Sequence, residues 1–296
     1  MEVKIVSLSK IAILTDSACD IPPELEKKYG IDIMSFSITL DGTSYTERKD
    51  FTFDQYYNIL RNAKGTPSTA HITHLQFCQQ YCKYVDEGYT DVIHVSINST
   101  GSATYDAARM AMNFLAEERP GNTLRIHLID SHTYAMLYGW YVCEAARKIR
   151  NGAEVAPIVD WLRDVFSRGE IILAAYSLKV MKKSGRISAA AAFAGELLGL
   201  RPVISLIDGV TKVQSKVRGD AGVLPALVSY AAAHKAEPFE YMIGTTDDAK
   251  AEELTRLCKK EFGVAPICVF KLGAAVASNT GPDAIAIAYL GNPRNQ

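Results

Sequence analysis

The sequence predicts an α/β protein whose first half is a parallel, doubly wound sheet. Three observations carry this. Short apolar runs of strand length alternate with amphipathic helical stretches from residue 11 to residue 150, and strands separated by helices run parallel within one sheet. Two helix starts show capping-box spacing, Thr52 with Gln55 and Thr73 with Gln76. Asp41-Gly42 provides a hairpin turn signal.

Residues 11–15 form a strand that ends at polar Asp16 and Ser17, and Pro22-Pro23 opens a helix to Tyr29. A second strand covers 33–40 and turns into 43–46, giving a small hairpin near 37–50. Helices follow up to Asn62 and, after a loop over 65–70, up to Glu87. Residues 91–96 and 124–130 are strands, with long helices to Glu118 and from Tyr134 to Arg150. Ligands in such sheets bind outside the carboxyl ends of the strands, which places 15–17, 96–102 and 130–132 on one rim. Beyond Asn151-Gly152 the pattern loosens. A helix ends near Arg168, 171–175 is a strand, and 178–186 is a short basic helix or turn. An alanine-rich helix covers 188–198, strands flank the Asp208-Gly209 turn as far as Arg218, and 241–272 reads strand, helix, strand. The 296 residues predict two lobes, 1–155 and 156–296.

Charge and composition exclude several classes. The net charge of −1, with both signs interspersed, leaves no basic stripe for a nucleic acid. Six scattered cysteines read as reduced, buried thiols. The first ten residues lack an apolar signal core, and the most apolar stretch, 187–207, is broken by Glu196, Arg201 and Pro202, so a cytoplasmic location is expected.

The commoner catalytic and cofactor motifs are missing: no G-x-G, no P-loop lysine, no C-x-x-C and no H-E-x-x-H. Asp16, after a buried strand, stands where an aspartyl nucleophile sits, but the acid/base position two residues on is Ala18, and capping of the next helix is the simpler role. His71, His74, Cys78 and Cys82 cluster in sequence without a second ligand group, so no metal is expected. What remains is hydroxyl residues at loop-to-helix transitions: Thr66, Ser68, Thr69 and Thr73, then Ser99, Thr100, Ser102 and Thr104. Helix starts offer unpaired N–H groups, and with hydroxyl donors they suit an anionic head.

Several segments, in this order, resemble the DegV family: residues 15–20 (Thr-Asp-Ser-Ala-Cys-Asp), 67–73, 96–101, 182–187, Arg201-Pro202-Val203 with Asp208-Gly209, 217–219 and Asn279-Thr280-Gly281-Pro282. The resemblance implies a two-lobed fold with a long-chain fatty acid in a tunnel between the lobes, and no catalysis or cofactor of its own. It further implies presentation of the acid to a separate fatty-acid kinase. Carried over by position, the ligand-binding set is Thr69, Thr100, Gly101, Ser102, Asn279 and Thr280, with His71 and Ser17 beside them. The chain departs from the family at Ala70-His71-Ile72 (for S-Q-P), Thr100 (for serine), Asn279 (for histidine) and Asp283 (for glycine). Asn279 keeps a donor but carries no charge, and His71 is the candidate to restore one. Tunnel walls are expected from Met181, Ile187, 189–194, Leu197, Leu198, Val203 and Ile204. Lys182, Lys183, Arg186 and above all Arg218 form a basic face for the kinase or for transient contact with anionic membrane.

Overall fold

The computed structural model of the chain describes residues 10–176, 178–186 and 199–294. The alanine-rich helix expected over 188–198, with the tunnel-wall residues Ile187, 189–194, Leu197 and Leu198, lies outside the described residues. The first half runs β1 (Ile11–Asp16), α1 (Pro23–Tyr29), β2 (Ile31–Met34), β3 (Ser37–Leu40), β4 (Thr43–Thr46), α2 (Phe53–Asn62), β5 (Ser68–Ala70), α3 (His74–Asp86), β6 (Asp91–Ser96), α4 (Thr104–Glu118), β7 (Arg125–Asp130), α5 (Met136–Arg150) and α6 (Val155–Ser167). It continues with β8 (Gly169–Ala175), α7 (Leu178–Ser184), β9 (Leu200–Ile207), β10 (Val210–Arg218), α8 (Val223–His234), β11 (Tyr241–Thr245), α9 (Asp248–Phe262), β12 (Cys268–Lys271), α10 (Ala274–Thr280) and β13 (Ala284–Leu290).

The first sheet is parallel throughout, in the order β2-β1-β6-β7. Helix α5 packs against both α1 and α6, and α3 pairs with α4. With cover on both sides, every residue of β6 is buried. The chain leaves β1 for β2 on one side, and β6 lies on the other, so the loops after β1 and β6 diverge and leave a crevice at the strand ends.

The strand expected over 33–40 is two strands in different sheets. Phe36 is the pivot: its N–H donates to Ser17 Oγ at 2.9 Å and its carbonyl accepts from the Glu47 N–H at 3.0 Å. Past it, β3 pairs antiparallel with β4 and with β5, a strand where the sequence reads as loop. At the β3–β4 turn Asp41 and Gly42 both take positive φ (50° and 81°), as a two-residue hairpin requires. The Asp41 carboxylate also accepts from the N–H groups of Lys64 and Gly65, at 2.9 and 2.7 Å, which ties down the loop leading into β5. Both capping boxes close as the spacing predicts.

The second sheet is mixed, in the order β10-β9-β8-β13-β11-β12, antiparallel except for β11 with β12. It begins only after α6, which packs on β6 and β7 of the first sheet. Period-two alternation sorts its side chains. Ile172, Val203, Ile243, Ile285, Ile287 and Tyr289 form the core beneath α8 and α9. Ile171, Leu173, Ile204, Leu206, Phe270, Ala284, Ala286 and Ala288 turn to the core shared with the first half.

Helix α10 sits where the layers meet, touching α2, α7 and β5. Its Ala274 and Ala277 pack with Ile38, Leu40, Tyr56, Tyr57 and Leu60. The Tyr56 and Ser278 hydroxyls are 2.5 Å apart, and the Tyr57 hydroxyl donates to the Leu272 carbonyl. On the far side α5 crosses the turn after β1 so closely that a Cβ at Gly139 would collide with the Cys19 carbonyl. Gly139→Ala is therefore expected to destabilise the protein by about 1–3 kcal/mol in denaturant titration. An unchanged midpoint would show that α5 is not fixed at this crossing.

Candidate functional site

The rim predicted from the strand ends divides into a braced part and an open part. Asp16 is fully buried and accepts from the Ala18 N–H (3.2 Å), the Ile97 N–H (2.8 Å) and the Tyr138 hydroxyl (2.7 Å). Burial pushes its carboxyl up to about 6, with those three donors pulling the other way. Such a carboxylate braces β1, the loop after β6 and α5; with both oxygens engaged and no place on the cavity wall, the geometry lends nothing to a nucleophile. Ser17 is likewise occupied inward: its hydroxyl donates to Glu47 Oε2 at 2.5 Å and accepts from the Phe36 N–H.

The loop after β6 is open. Gly101 and Ser102 donate their N–H groups to the Asn98 carbonyl, both at 3.2 Å, and the Ser99 N–H reaches the Asp130 carboxylate at 3.1 Å. Gly101 is glycine because the Tyr134 hydroxyl occupies the place of a Cβ. That hydroxyl accepts from the Asn98 amide at 2.9 Å, bringing the Tyr134 ring over the loop.

A cavity of about 1150 Å³, mouth included, lies between this rim and the inner face of the second sheet. Its polar lining residues are Thr69, His71, Ser102, Tyr134, Arg186, Asn279 and Thr280. The remainder is mostly apolar, with Phe36, Ile97, Ile171, Leu173, Leu206, Phe270, Leu272, Val276 and the alanines 284, 286 and 288. Ile171, Leu173, Leu206, Phe270 and Ala286 keep 6–7 % exposure, whereas Ile172 and Ile287, pointing to the opposite face, are at 0 %. The difference is interior surface that side chains leave uncovered, in a protein whose interior is otherwise close-packed.

Six of the eight expected binding residues, Thr69, His71, Gly101, Ser102, Asn279 and Thr280, line this one cavity although they come from three distant segments. Among the described residues, the Thr69 hydroxyl and the His71 ring have no hydrogen-bond partner, and the Arg186 guanidinium has no acidic one. The Ser102 hydroxyl is 2.8 Å from that of Thr104. Asn279 donates one amide hydrogen to the Ala275 carbonyl at 2.8 Å, and Thr280 turns its hydroxyl back on the Val276 carbonyl at 3.3 Å. Thr100 lies elsewhere. Its hydroxyl accepts from the Asn98 amide at 2.8 Å, and the Asp208-Gly209 turn approaches so closely that a Cβ at Gly209 would stand 2.5 Å from Thr100 Oγ1, while the residue itself is exposed.

The sequence missed Tyr134 and the whole floor of the cavity. It offered Met181, Val203 and Ile204 as walls, but Val203 points to α8 and none of the three lines the cavity. The signal for the floor was present in Ala284-Ile-Ala-Ile-Ala288, a period-two alternation of small and large residues. The His/Cys cluster disperses: His71 is on the cavity, and His74 stacks on Phe114 with ring centroids 5.1 Å apart. Among the described residues no group of three His, Cys, Asp or Glu is arranged to hold a metal, and no helix is long and apolar enough to cross a membrane.

The comparisons with known proteins agree with this architecture. A DegV domain-containing protein of Caldanaerobacter subterraneus subsp. tengcongensis is 28% identical over 285 residues, covering 95% of this chain and 99% of that one. Among solved structures, a fatty acid binding DegV family protein of Streptococcus agalactiae superposes with a TM-score of 0.83 at 26% identity, covering 97% of this chain and 100% of its own. A stearic acid-binding protein from Eubacterium ventriosum superposes with a TM-score of 0.84 at 24% identity, covering 96% of this chain and 98% of its own. The family model of the DegV proteins, described as uncharacterised, matches residues 10–292, and the chain belongs to the DegV family.

Proposed function

We propose that the protein binds a long-chain fatty acid in the cavity between its two layers and acts as a carrier rather than a catalyst. The observation that carries this reading is a mostly apolar, underfilled cavity whose lining also holds hydroxyl, imidazole, amide and guanidinium groups. The fatty-acid binding reported for the Streptococcus agalactiae family member supports it.

Energetics assign different tasks to the two ends. At ~0.8 kcal/mol per buried CH₂, a sixteen-carbon tail contributes on the order of 11 kcal/mol before association and ordering costs. The carboxylate mainly recovers its own desolvation, so its partners set orientation. Thr69, His71 and Ser102 take the head, with Arg186 supplying positive charge and Asn279 and Thr280 closing the far side. Thr100 acts one step back, holding Asn98 beneath the Asp208-Gly209 turn. Ser17 contributes by fixing Phe36, a cavity wall. Arg218, exposed at the end of the edge strand β10, is the docking point for a separate fatty-acid kinase, with Lys182 and Lys183 available for transient contact with anionic membrane.

Native mass spectrometry of protein purified without added ligand is expected to show a retained fatty acid. Turnover of acyl phosphates or phosphomonoesters by the isolated chain would favour an enzyme instead. Thr69→Ala with Ser102→Ala should weaken carboxylate binding by about a hundred-fold or more, since each hydrogen bond to a charged group contributes ~1.5–3 kcal/mol. Thr100→Ala should have a smaller effect. Equal affinity in the double variant and the parent would remove the head-group assignment.

A further inference from the structure

We propose that Phe270, seated in the space left by Gly244, makes the cavity select straight acyl chains over cis-unsaturated ones. The proposal rests on the fatty-acid reading above and names the class of acid the site takes.

The floor of the cavity is a single strand. Ala284, Ala286 and Ala288 occupy successive inward positions of β13, and at ~3.3 Å per residue they form a shallow trough ~13 Å long. One bank is β8, where Leu173 pairs with Ala286 and Ile171 with Ala288. Strands lie ~4.8 Å apart, so a floor one strand wide holds one extended hydrocarbon chain. The other bank is β11, where Met242 pairs with Ala288 but Gly244 pairs with Ala286. At the level of Ala286 that bank lacks a side chain of its own, and an empty glycine there would widen the trough sideways.

Phe270 closes the gap. It is the partner of Gly244 on β12, on the same inward face, and its ring reaches across. A Cβ at Gly244 would stand 2.7 Å from Phe270 Cζ and 3.0 Å from Cε2, with Leu272 Cδ2 at 3.1 Å. Gly244 is therefore the seat of the ring, and the ring is the side wall. A saturated chain runs along the alanines past this wall. A cis double bond fixes a bend that no rotation about neighbouring single bonds removes, and the bend needs lateral room where Phe270 stands. A trans double bond keeps the chain straight and meets no obstacle.

The test uses the full-length chain, stripped of lipid and loaded with an equimolar mixture of octadecanoic, trans-9-octadecenoic and cis-9-octadecenoic acids, the retained acids being identified by mass spectrometry. The parent protein is expected to retain the saturated and trans acids together, over the cis acid by about ten-fold or more, the scale on which a shaped apolar pocket discriminates. Phe270→Ala should bring the cis acid close to parity, and Phe270→Leu should fall between. Comparable retention of all three acids by the parent, or an unchanged ratio in a folded Phe270→Leu or Phe270→Ala, overturns the proposal. If the trans acid is excluded along with the cis acid, discrimination is by unsaturation rather than by shape, which also overturns it. Retention of no fatty acid at all is a different result, because it removes the proposed function itself.

Discussion

Ala286→Trp is expected to abolish retention of long-chain fatty acids while leaving the protein folded. Ala286 is inward on β13, flanked by Leu173 and by Gly244 beneath Phe270, and retains 7 % exposure to the interior space. An indole there grows into the cavity instead of into packed core. Displacing about four methylenes from the trough forfeits ~3 kcal/mol at ~0.8 kcal/mol each, a loss of about a hundred-fold in affinity. Isothermal titration with hexadecanoic acid measures it. Octanoic acid is the internal control, because a short tail need not reach Ala286 and should lose far less. Ile287→Trp gives the opposite outcome: Ile287 is at 0 % exposure in the core under α8 and α9, so overpacking should lower stability before it alters binding. Undiminished hexadecanoic acid affinity in Ala286→Trp would place the tail elsewhere.

Much of the fold was readable because its signals are local. The capping boxes at Thr52 and Thr73 and the Asp41-Gly42 turn depend on residues a few positions apart, and each forms as its spacing predicts. Alternating apolar runs likewise identified the parallel sheet. The misreadings share a different cause. Nothing within 33–40 says that the chain changes sheets at Phe36, because the bonds that turn it come from Ser17 and Glu47. The position of Thr100 depends on a turn more than a hundred residues later, where Gly209 alone lets two loops approach. The head-group residues were legible as hydroxyls at helix starts, but their convergence was not, since it is created by the packing of β5, the loop after β6 and α10 around one space. The floor of the trough was legible in principle from the small–large alternation in β13. Glu47 was not legible at all. It sits in a polar hairpin stretch that looks solvated, and α10 from the far end of the chain buries it.

That burial leads to a second large effect, in the stability of the protein against pH. Glu47 accepts from the Ser17 hydroxyl and from the Ala275 N–H at 2.8 Å, and so holds the start of α10 against the first half. Burial pushes its carboxyl from 4.5 up to about 7, even with those donors opposing. Asp20, also buried, is pushed well above the usual range by desolvation and by Glu47, against the opposing Gly273 N–H, and Asp16 rises to about 6. Arg48 lies nearby and offsets part of this charge, but its guanidinium is engaged by the Ile21 carbonyl and Glu26. A carboxyl whose folded-state pKa is raised contributes stability that is fully present below its unfolded pKa and is lost as pH rises through its folded one. For Glu47 that window runs from about 4.5 to about 7. His94 acts in the other direction. Burial lowers it from 6.5 to about 3, so its contribution is present above 6.5 and is lost as pH falls toward 3. Above about pH 4 the three buried acids outweigh His94, so the protein is expected to be most stable near pH 4 and to lose at least ~2 kcal/mol between pH 5 and pH 8. Glu47→Gln isolates the acid's share. The amide keeps an oxygen for the Ala275 N–H, can donate to Ser17 Oγ, and carries no charge to bury. It should stabilise the protein at pH 8 by about 3 kcal/mol, the free-energy equivalent of the Glu47 shift, and have little effect below pH 4.5. Denaturant titrations of both proteins at pH 4, 6 and 8 measure the difference. A Glu47→Gln variant less stable than the parent at pH 8 would mean that the ionised carboxylate, and not the buried acid, is what fastens α10.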